Sequence, residues 1–313
     1  MRNVNPEQLF GRSVVVCLGA TLCCLLWGSA FPVVKIGYSL FQVDGADTAA
    51  QILFAGSRFT LAGCMVILIG SVSGRSFLKP RRDLMPRIIW LAMLQTVLQY
   101  IFFYIGLART SGVKASVIEA MNVFVAILIA GFIFGQEKVT GRKILGCVIG
   151  FIGVVLVNLD GMNLSLTLTG EGFIFFSTVA YAFSSVFMKR YSAGENPVLL
   201  SGYQFLIGGL VMVAAGLAMG GRLGVTGPLA LPVLAYLALL SAIAYTIWGL
   251  LLKYNPVSKV AVYGFMTPMF GVILSMLLLK EAGALGTGLV CLVAMVLVCA
   301  GIYIVNTGEK AVN

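Results

Sequence analysis

Along the 313 residues, apolar positions gather into ten long stretches separated by short polar breaks. Hydropathy and helix breakers predict helices over residues 13–40, 50–73, 87–108, 112–134, 142–159, 170–188, 198–219, 229–251, 257–279 and 285–306. A helix needs roughly 20 apolar residues to cross a bilayer, and these stretches match that length. The second five also repeat the first. Trp27-Gly28-Ser29-Ala30-Phe31-Pro32-Val33-Val34-Lys35 has a shadow in Tyr181-Ala182-Phe183-Ser184-Ser185-Val186-Phe187-Met188-Lys189. Gly56-Ser57-Arg58-Phe59 returns as Gly202-Tyr203-Gln204-Phe205, and Gly153-Val154-Val155-Leu156-Val157-Asn158 as Gly301-Ile302-Tyr303-Ile304-Val305-Asn306. An odd number of spans per unit makes the two copies enter the membrane from opposite faces, the arrangement of alternating-access carriers. The expected fold is an all-α integral membrane protein of ten transmembrane helices in two inverted five-helix repeats, residues 1–160 and 161–313.

Composition sharpens this picture. The chain is 60% hydrophobic and only 10% charged, against roughly 25% charged residues in a soluble domain. The apolar run from Ser13 to Leu40 is too long for the core of a cleavable signal and is expected to be the first span. Short loops leave no room for an extramembrane catalytic domain. The net charge of +10 follows from loop asymmetry. With the N-terminus inside, fifteen Lys and Arg fall in inner segments, among them Arg75, Lys79, Arg81, Arg82 and Arg87, and four in outer ones: Arg109, Lys114, Arg222 and Lys280. That bias predicts both termini in the cytoplasm, without calling on nucleic acid, and the membrane expected to hold the chain is a bacterial inner membrane. All seven cysteines lie in apolar stretches and the chain contains no histidine, so neither a disulfide framework nor a metal site is expected, and no cofactor is implied. No constellation of an enzyme is present.

Ionisable groups inside a bilayer are costly and mark pathways. Arg58 lies about two helical turns into the second span and Glu119 about two turns into the fourth. Both spans start at the outer face, so the two charges sit at similar depth. They read either as a structural ion pair or as two halves of a site for a zwitterion. In the second reading Arg58 holds a carboxylate and Glu119 an amino or quaternary group, or a coupling proton. Gln95 and Gln99 share one helical face. With Trp27, Tyr104, Asn122, Tyr181, Gln204, Trp248 and Tyr263 they are the candidate cavity lining, although Trp248 and Tyr263 are near enough to span ends to be interface anchors. Lys35 and Lys189 end equivalent spans, as snorkelling cations or as gate contacts. Pro32 and Pro268 interrupt spans one and nine, as hinges or static kinks. Gly146 and Gly150 offer a small-residue face, for packing within one chain or for a weak homodimer.

Taken together, the two five-span halves, Trp27-Gly28-Ser29 leading to Lys35, Arg58-Phe59, and Gly112 through Phe124 followed by Gly135-Gln136-Glu137-Lys138-Val139-Thr140 resemble EamA-type carriers of the drug/metabolite transporter superfamily. The resemblance covers essentially the whole chain. It implies a ten-helix basket in which spans one to four and six to nine surround a cavity while five and ten pack outside. It also implies a small-molecule substrate, with bacterial aromatic-amino-acid exporters as the first branch for comparison. The family carries a Glu-Pro step in span four where this chain has Met121-Asn122, whereas Pro268 stands before Phe270 in the second half. Glu119 is therefore not the family's usual acid, and Gln204 in place of a second arginine makes the halves chemically unequal. The expected function is amino-acid export by alternating access. Uptake of an organic cation such as choline, a channel, and a structural or sensory membrane protein are the alternatives, and proton coupling, facilitated diffusion and exchange all fit.

Overall fold

The computed structural model describes residues 6–107, 109–110, 112–157, 167–279 and 288–307, and among them every regular element is a helix. A short helix, α1 (Pro6–Gly11), precedes α2 (Ser13–Leu40) and α3 (Thr48–Ser73). The next apolar stretch is helical from Arg82 to Leu107 but changes its winding: a 3₁₀ turn (Arg82–Leu84), α4 (Met85–Leu91), a π-helical segment (Ala92–Leu98) and α5 (Gln99–Leu107). Then come α6 (Gly112–Ala120), α7 (Asn122–Leu128) with a π turn (Ile129–Ile133), and α8 (Gly141–Val157). A π turn (Leu168–Gly172) opens α9 (Phe173–Ser192), followed by α10 (Pro197–Ala218) and α11 (Ala230–Tyr254). The chain continues through α12 (Val257–Ala261), a 3₁₀ turn (Val262–Phe265), α13 (Met266–Leu279) and α14 (Gly288–Asn306).

Six continuous helical stretches are long and apolar enough to cross a membrane: Ser13–Leu40, Thr48–Ser73, Arg82–Leu107, Leu168–Ser192, Pro197–Ala218 and Ala230–Tyr254. The other four predicted stretches also coincide with helices, but shorter or interrupted ones. The interruptions have local causes. Met121 N–H bonds to the Ile118 carbonyl three residues back, at 3.0 Å, and so parts α6 from α7. The fourth stretch therefore breaks two residues after Glu119 although no proline is present. In the ninth stretch the 3₁₀ turn directly precedes Met266-Thr267-Pro268, so Pro268 stands in the first turn of α13, where its missing N–H costs little. The ends are capped where sequence supplies the groups: Asp47 accepts from Ala50 N–H at 2.9 Å and Asn196 from Val198 N–H at 2.9 Å.

Packing is set by small residues. α3 lies along α10 with glycines at the crossing. A Cβ on Gly56 would stand 2.6 Å from Val213 N, on Gly63 2.4 Å from Leu206 N and on Gly209 2.4 Å from Thr60 N, so only glycine permits this approach. α8 lies along α14, where Gly146 meets the Gly301 carbonyl and Val305, and Gly150 meets Phe265. The Gly146 and Gly150 face is thus occupied within the chain. α2 packs on α11 and α13, and α9 on α5 and α7. Outside, Leu18, Leu68, Val72, Phe132, Leu217, Leu277 and Leu292 are exposed. Inside, Arg58, Gln95, Gln99, Ser184, Gln204 and Ser241 are buried. Apolar outside and polar within is the distribution a bilayer selects.

Candidate functional site

Arg58 is the centre of the interior. It is 4% exposed, held on α3 with Phe59, whose ring lies 4.8 Å from the guanidinium carbon. Its Nε and Nη2 donate to Ser241 Oγ on α11 at 3.2 and 2.9 Å, and the Ser241 hydroxyl in turn donates to the Leu237 carbonyl at 3.0 Å. No other acceptor meets it among the described residues, and no carboxylate does. A guanidinium has five N–H donors and a buried cation needs a counter-charge. The ion pair with Glu119 that sequence left open is not formed.

Tyrosines pack around the adjoining Phe59. Tyr100 and Tyr245 hydroxyls are 3.0 Å apart. Phe59 stacks on Phe205 at 5.4 Å and tilts over Tyr100 at 4.4 Å, and Phe205 meets Tyr245 edge-on at 4.8 Å. Tyr104 is buried beside Tyr100, 6.2 Å between ring centres. Trp27 closes the cluster from α2, its ring 4.9 Å from Trp248, 5.1 Å from Tyr245 and 6.4 Å from Tyr181. Glu119 is half-buried and bonded to nothing among the described residues.

Several buried polar atoms here have no hydrogen-bond partner: Trp27 Nε1, Gln95 Oε1, Gln99 Oε1, Asn122 Oδ1 and Gln204 Nε2. Buried polar groups are nearly always satisfied, so each of these side chains is a candidate for contact with a polar ligand. The π-helical segment carries Gln95 and Thr96, and such bulges concentrate at functional sites. Thr96 Oγ1 donates to Gln204 Oε1 at 3.4 Å.

The structure gathers Trp27, Arg58, Tyr104, Tyr181 and Trp248 into adjoining contacts, with Gln204 bonded to Thr96. Tyr263 stands apart in the 3₁₀ turn, where its carbonyl accepts from Cys24 Sγ at 3.1 Å and its ring packs in the larger hydrophobic cluster. Lys35 is exposed near the end of α2. Lys189 donates to the Leu252 carbonyl at 3.2 Å and to that of Asn255, and so caps the C-terminus of α11 with positive charge. Pro32 is buried within an uninterrupted α2, one turn from Gly28, whose Cβ would stand 2.6 Å from Phe270 Cβ.

Sequence reasoning missed Ser241. It also missed a second buried polar centre. Glu137 Oε2 pairs with Lys143 Nζ at 2.6 Å and bonds Ser258 Oγ, while Oε1 accepts Ser258 N–H at 2.9 Å. This ties the 134–140 loop to the start of α12. The same face carries Asn255 Nδ2 donating to the Phe10 carbonyl at 2.9 Å and the Arg81–Glu195 ion pair at 2.8 Å.

Comparison with known proteins agrees with this architecture. The chain is 23% identical to the uncharacterized transporter YvbV of Bacillus subtilis over 295 residues, covering 92% of this chain and 90% of the relative. It is 27% identical to an uncharacterized transporter of Archaeoglobus fulgidus, covering 91% and 96%. It is 26% identical to the uncharacterized inner membrane transporter YedA of Escherichia coli K12, covering 84% and 83%. A crystal structure titled only as that of a protein superposes with a TM-score of 0.76 at 16% identity, covering 96% of this chain and all of the other, and so shares its fold. The EamA-like transporter family matches residues 14–159 and again residues 168–307. The chain belongs to the EamA-like transporter family, within the drug/metabolite transporter superfamily.

Proposed function

We propose that the chain is a secondary carrier of small polar metabolites that exports amino acids by alternating access, with the aromatic-amino-acid exporters as its nearest functional branch. The observation that carries this is the buried Arg58, whose hydrogen bonds stop at one serine hydroxyl inside a shell of aromatic rings and orphan amides. A carboxylate received in a bidentate way completes that guanidinium. Glu119, on α6, takes the ammonium, and the rings accommodate an apolar side chain.

The ten-span inverted repeat is part of the same proposal, with halves at 1–160 and 161–313. Its support is that residues equivalent in the two halves touch each other, as residues astride a two-fold axis must. Tyr100 meets Tyr245, Phe59 meets Phe205 and Trp27 meets Tyr181. The bonds repeat as well: Arg58 on α3 bonds Ser241, and its counterpart Gln204 on α10 bonds Thr96. On the orientation set by the basic loops, both termini are cytoplasmic and the inner mouth is the one tied by Glu137, Lys189 and Asn255. Opening it breaks the Lys189 contacts, with Lys35 as the partner cation at the other mouth. Pro32, Pro268 and the two helix breaks are the points that yield.

The organic-cation reading has one observation in its favour, the aromatic rings around Trp27. Arg58 in the same shell opposes it. Counterflow in proteoliposomes with labelled amino acids and labelled choline decides: exchange of amino acids and none of choline is the expected outcome, and the reverse replaces the proposal. For coupling, Glu119 is the group placed to carry a proton. Glu119→Gln is expected to exchange amino acids while losing the acceleration that a pH gradient gives the wild type. An undiminished response to the gradient removes Glu119 from coupling.

A further inference from the structure

A second cationic centre lies on the outside of the protein, where α4 meets α9. Arg87 stands in the first turn of α4, its guanidinium carbon 5.7 Å from the centroid of Tyr191. Arg190 adjoins Tyr191 in sequence and lies one helical turn beyond Phe187 on α9. Both arginines are exposed, and neither is in an ion pair among the described residues. Arg81, by contrast, is engaged by Asp83 at 3.2 Å and Glu195 at 2.8 Å.

One helical turn deeper the surface becomes aromatic. Trp90 is 49% exposed and meets Phe187 edge-on at 6.1 Å. Phe187 packs on Tyr191 at 5.5 Å and on Phe134 at 5.2 Å. α4 runs inward from Arg87 and α9 runs outward to Arg190, so on both helices the cation is at the end and the ring a turn below. Cations at headgroup level over aromatic rings at the acyl boundary is the layering of a membrane interface. Simple loop bias would scatter charges, whereas Arg87 and Arg190 each sit one turn from a ring, Trp90 and Phe187, and these two rings touch, with neither arginine in an ion pair among the described residues.

We propose that this cleft binds an anionic phospholipid, with the phosphate between Arg87 and Arg190 and the first methylenes along Trp90 and Phe187. A zwitterionic lipid brings its own cation to the same place and leaves the two arginines uncompensated, so a net negative headgroup is preferred. Two cations at the surface correspond to roughly 30-fold local enrichment.

The test uses the three tryptophans. Trp248 is buried and Trp27 half-buried, which leaves Trp90 as the exposed reporter. The full chain is reconstituted in phosphatidylcholine vesicles containing a small fraction of bromine-labelled lipid, either phosphatidylglycerol or phosphatidylcholine. The Trp90 contribution is the difference from Trp90→Phe. Brominated phosphatidylglycerol is expected to quench it several-fold more strongly than brominated phosphatidylcholine at the same mole fraction. Arg87→Gln with Arg190→Gln removes the difference, and Arg142→Gln, exposed on α8, leaves it. Equal quenching of the Trp90 contribution by the two lipids overturns the proposal. So does loss of the preference to inorganic phosphate at matched ionic strength, which makes the cleft a phosphate site and not a lipid site.

Discussion

Arg58→Ala lowers amino-acid exchange in proteoliposomes by about 100-fold, the factor that follows from losing a bidentate charge-assisted pair worth roughly 3 kcal/mol. The protein remains folded, because the side chain it removes holds only Ser241 and the face of Phe59. Ser241 keeps its bond to Leu237 in the variant, so no buried hydroxyl is orphaned. Arg58→Lys restores charge without the planar fork and recovers part of the rate, with a raised KM, since a lysine meets a carboxylate as a point charge. Ser241→Ala is the milder companion. It frees Nε and Nη2 but removes the hydroxyl that aims them, and the expected loss is roughly tenfold, again in KM. Monodisperse elution and an unchanged melting temperature separate lost binding from lost fold. A normally folded Arg58→Ala protein that exchanges amino acids at the wild-type rate ends the carboxylate role, and with it the substrate class proposed from it.

The helices were legible because hydropathy in a membrane chain is a strong signal: Ser13–Leu40 matches the predicted 13–40 and Pro197–Ala218 the predicted 198–219 to within a residue. The breaks were not. The parting of α6 from α7 comes from a three-residue hydrogen bond at Met121, with no glycine or proline between Val113 and Ala130 to announce it. The π-helical winding at Gln95 and Thr96 is equally silent, because every residue in Ala92–Leu98 tolerates an ordinary helix. Arg58 was found because a charge in an apolar run is conspicuous, but its partner was missed because a serine is not. Carrying the repeat alignment one span further would have found it, since Thr96 and Ser241 hold matching positions and bond Gln204 and Arg58. The Glu137, Lys143 and Ser258 centre was hidden differently. Glu137 and Lys143 read as loop charges near a membrane surface, and only the fold brings the start of α12 onto them.

Gly209→Leu prevents the protein from accumulating in a folded form, and Gly209→Ala lowers its melting temperature by on the order of 5 °C, the shift expected of moderate overpacking. The reason is what a Cβ meets at this position: Thr60 N at 2.4 Å, Thr60 Oγ1 at 2.6 Å and the Phe59 carbonyl carbon at 2.9 Å. Two of these are backbone atoms, which no rotamer change can move. α3 and α10 must therefore separate, and in a bilayer little hydrophobic drive exists to compensate for lost contact between helices. Gly194→Ala is the control, a glycine with nothing within 4 Å of the added carbon, and its melting temperature is unchanged. The position also links packing to function. Thr60 and Phe59 follow Arg58 directly, so the displacement that admits a methyl group moves the guanidinium away from Ser241. Exchange by Gly209→Ala is expected to fall more steeply than its stability, while Gly301→Ala, which strains the α8–α14 contact by an approach of 2.5 Å to the Gly146 carbonyl, costs stability and spares the rate of the folded fraction. Equal loss of rate in both variants at matched folded protein would mean that the α3–α10 crossing does not set the position of the site.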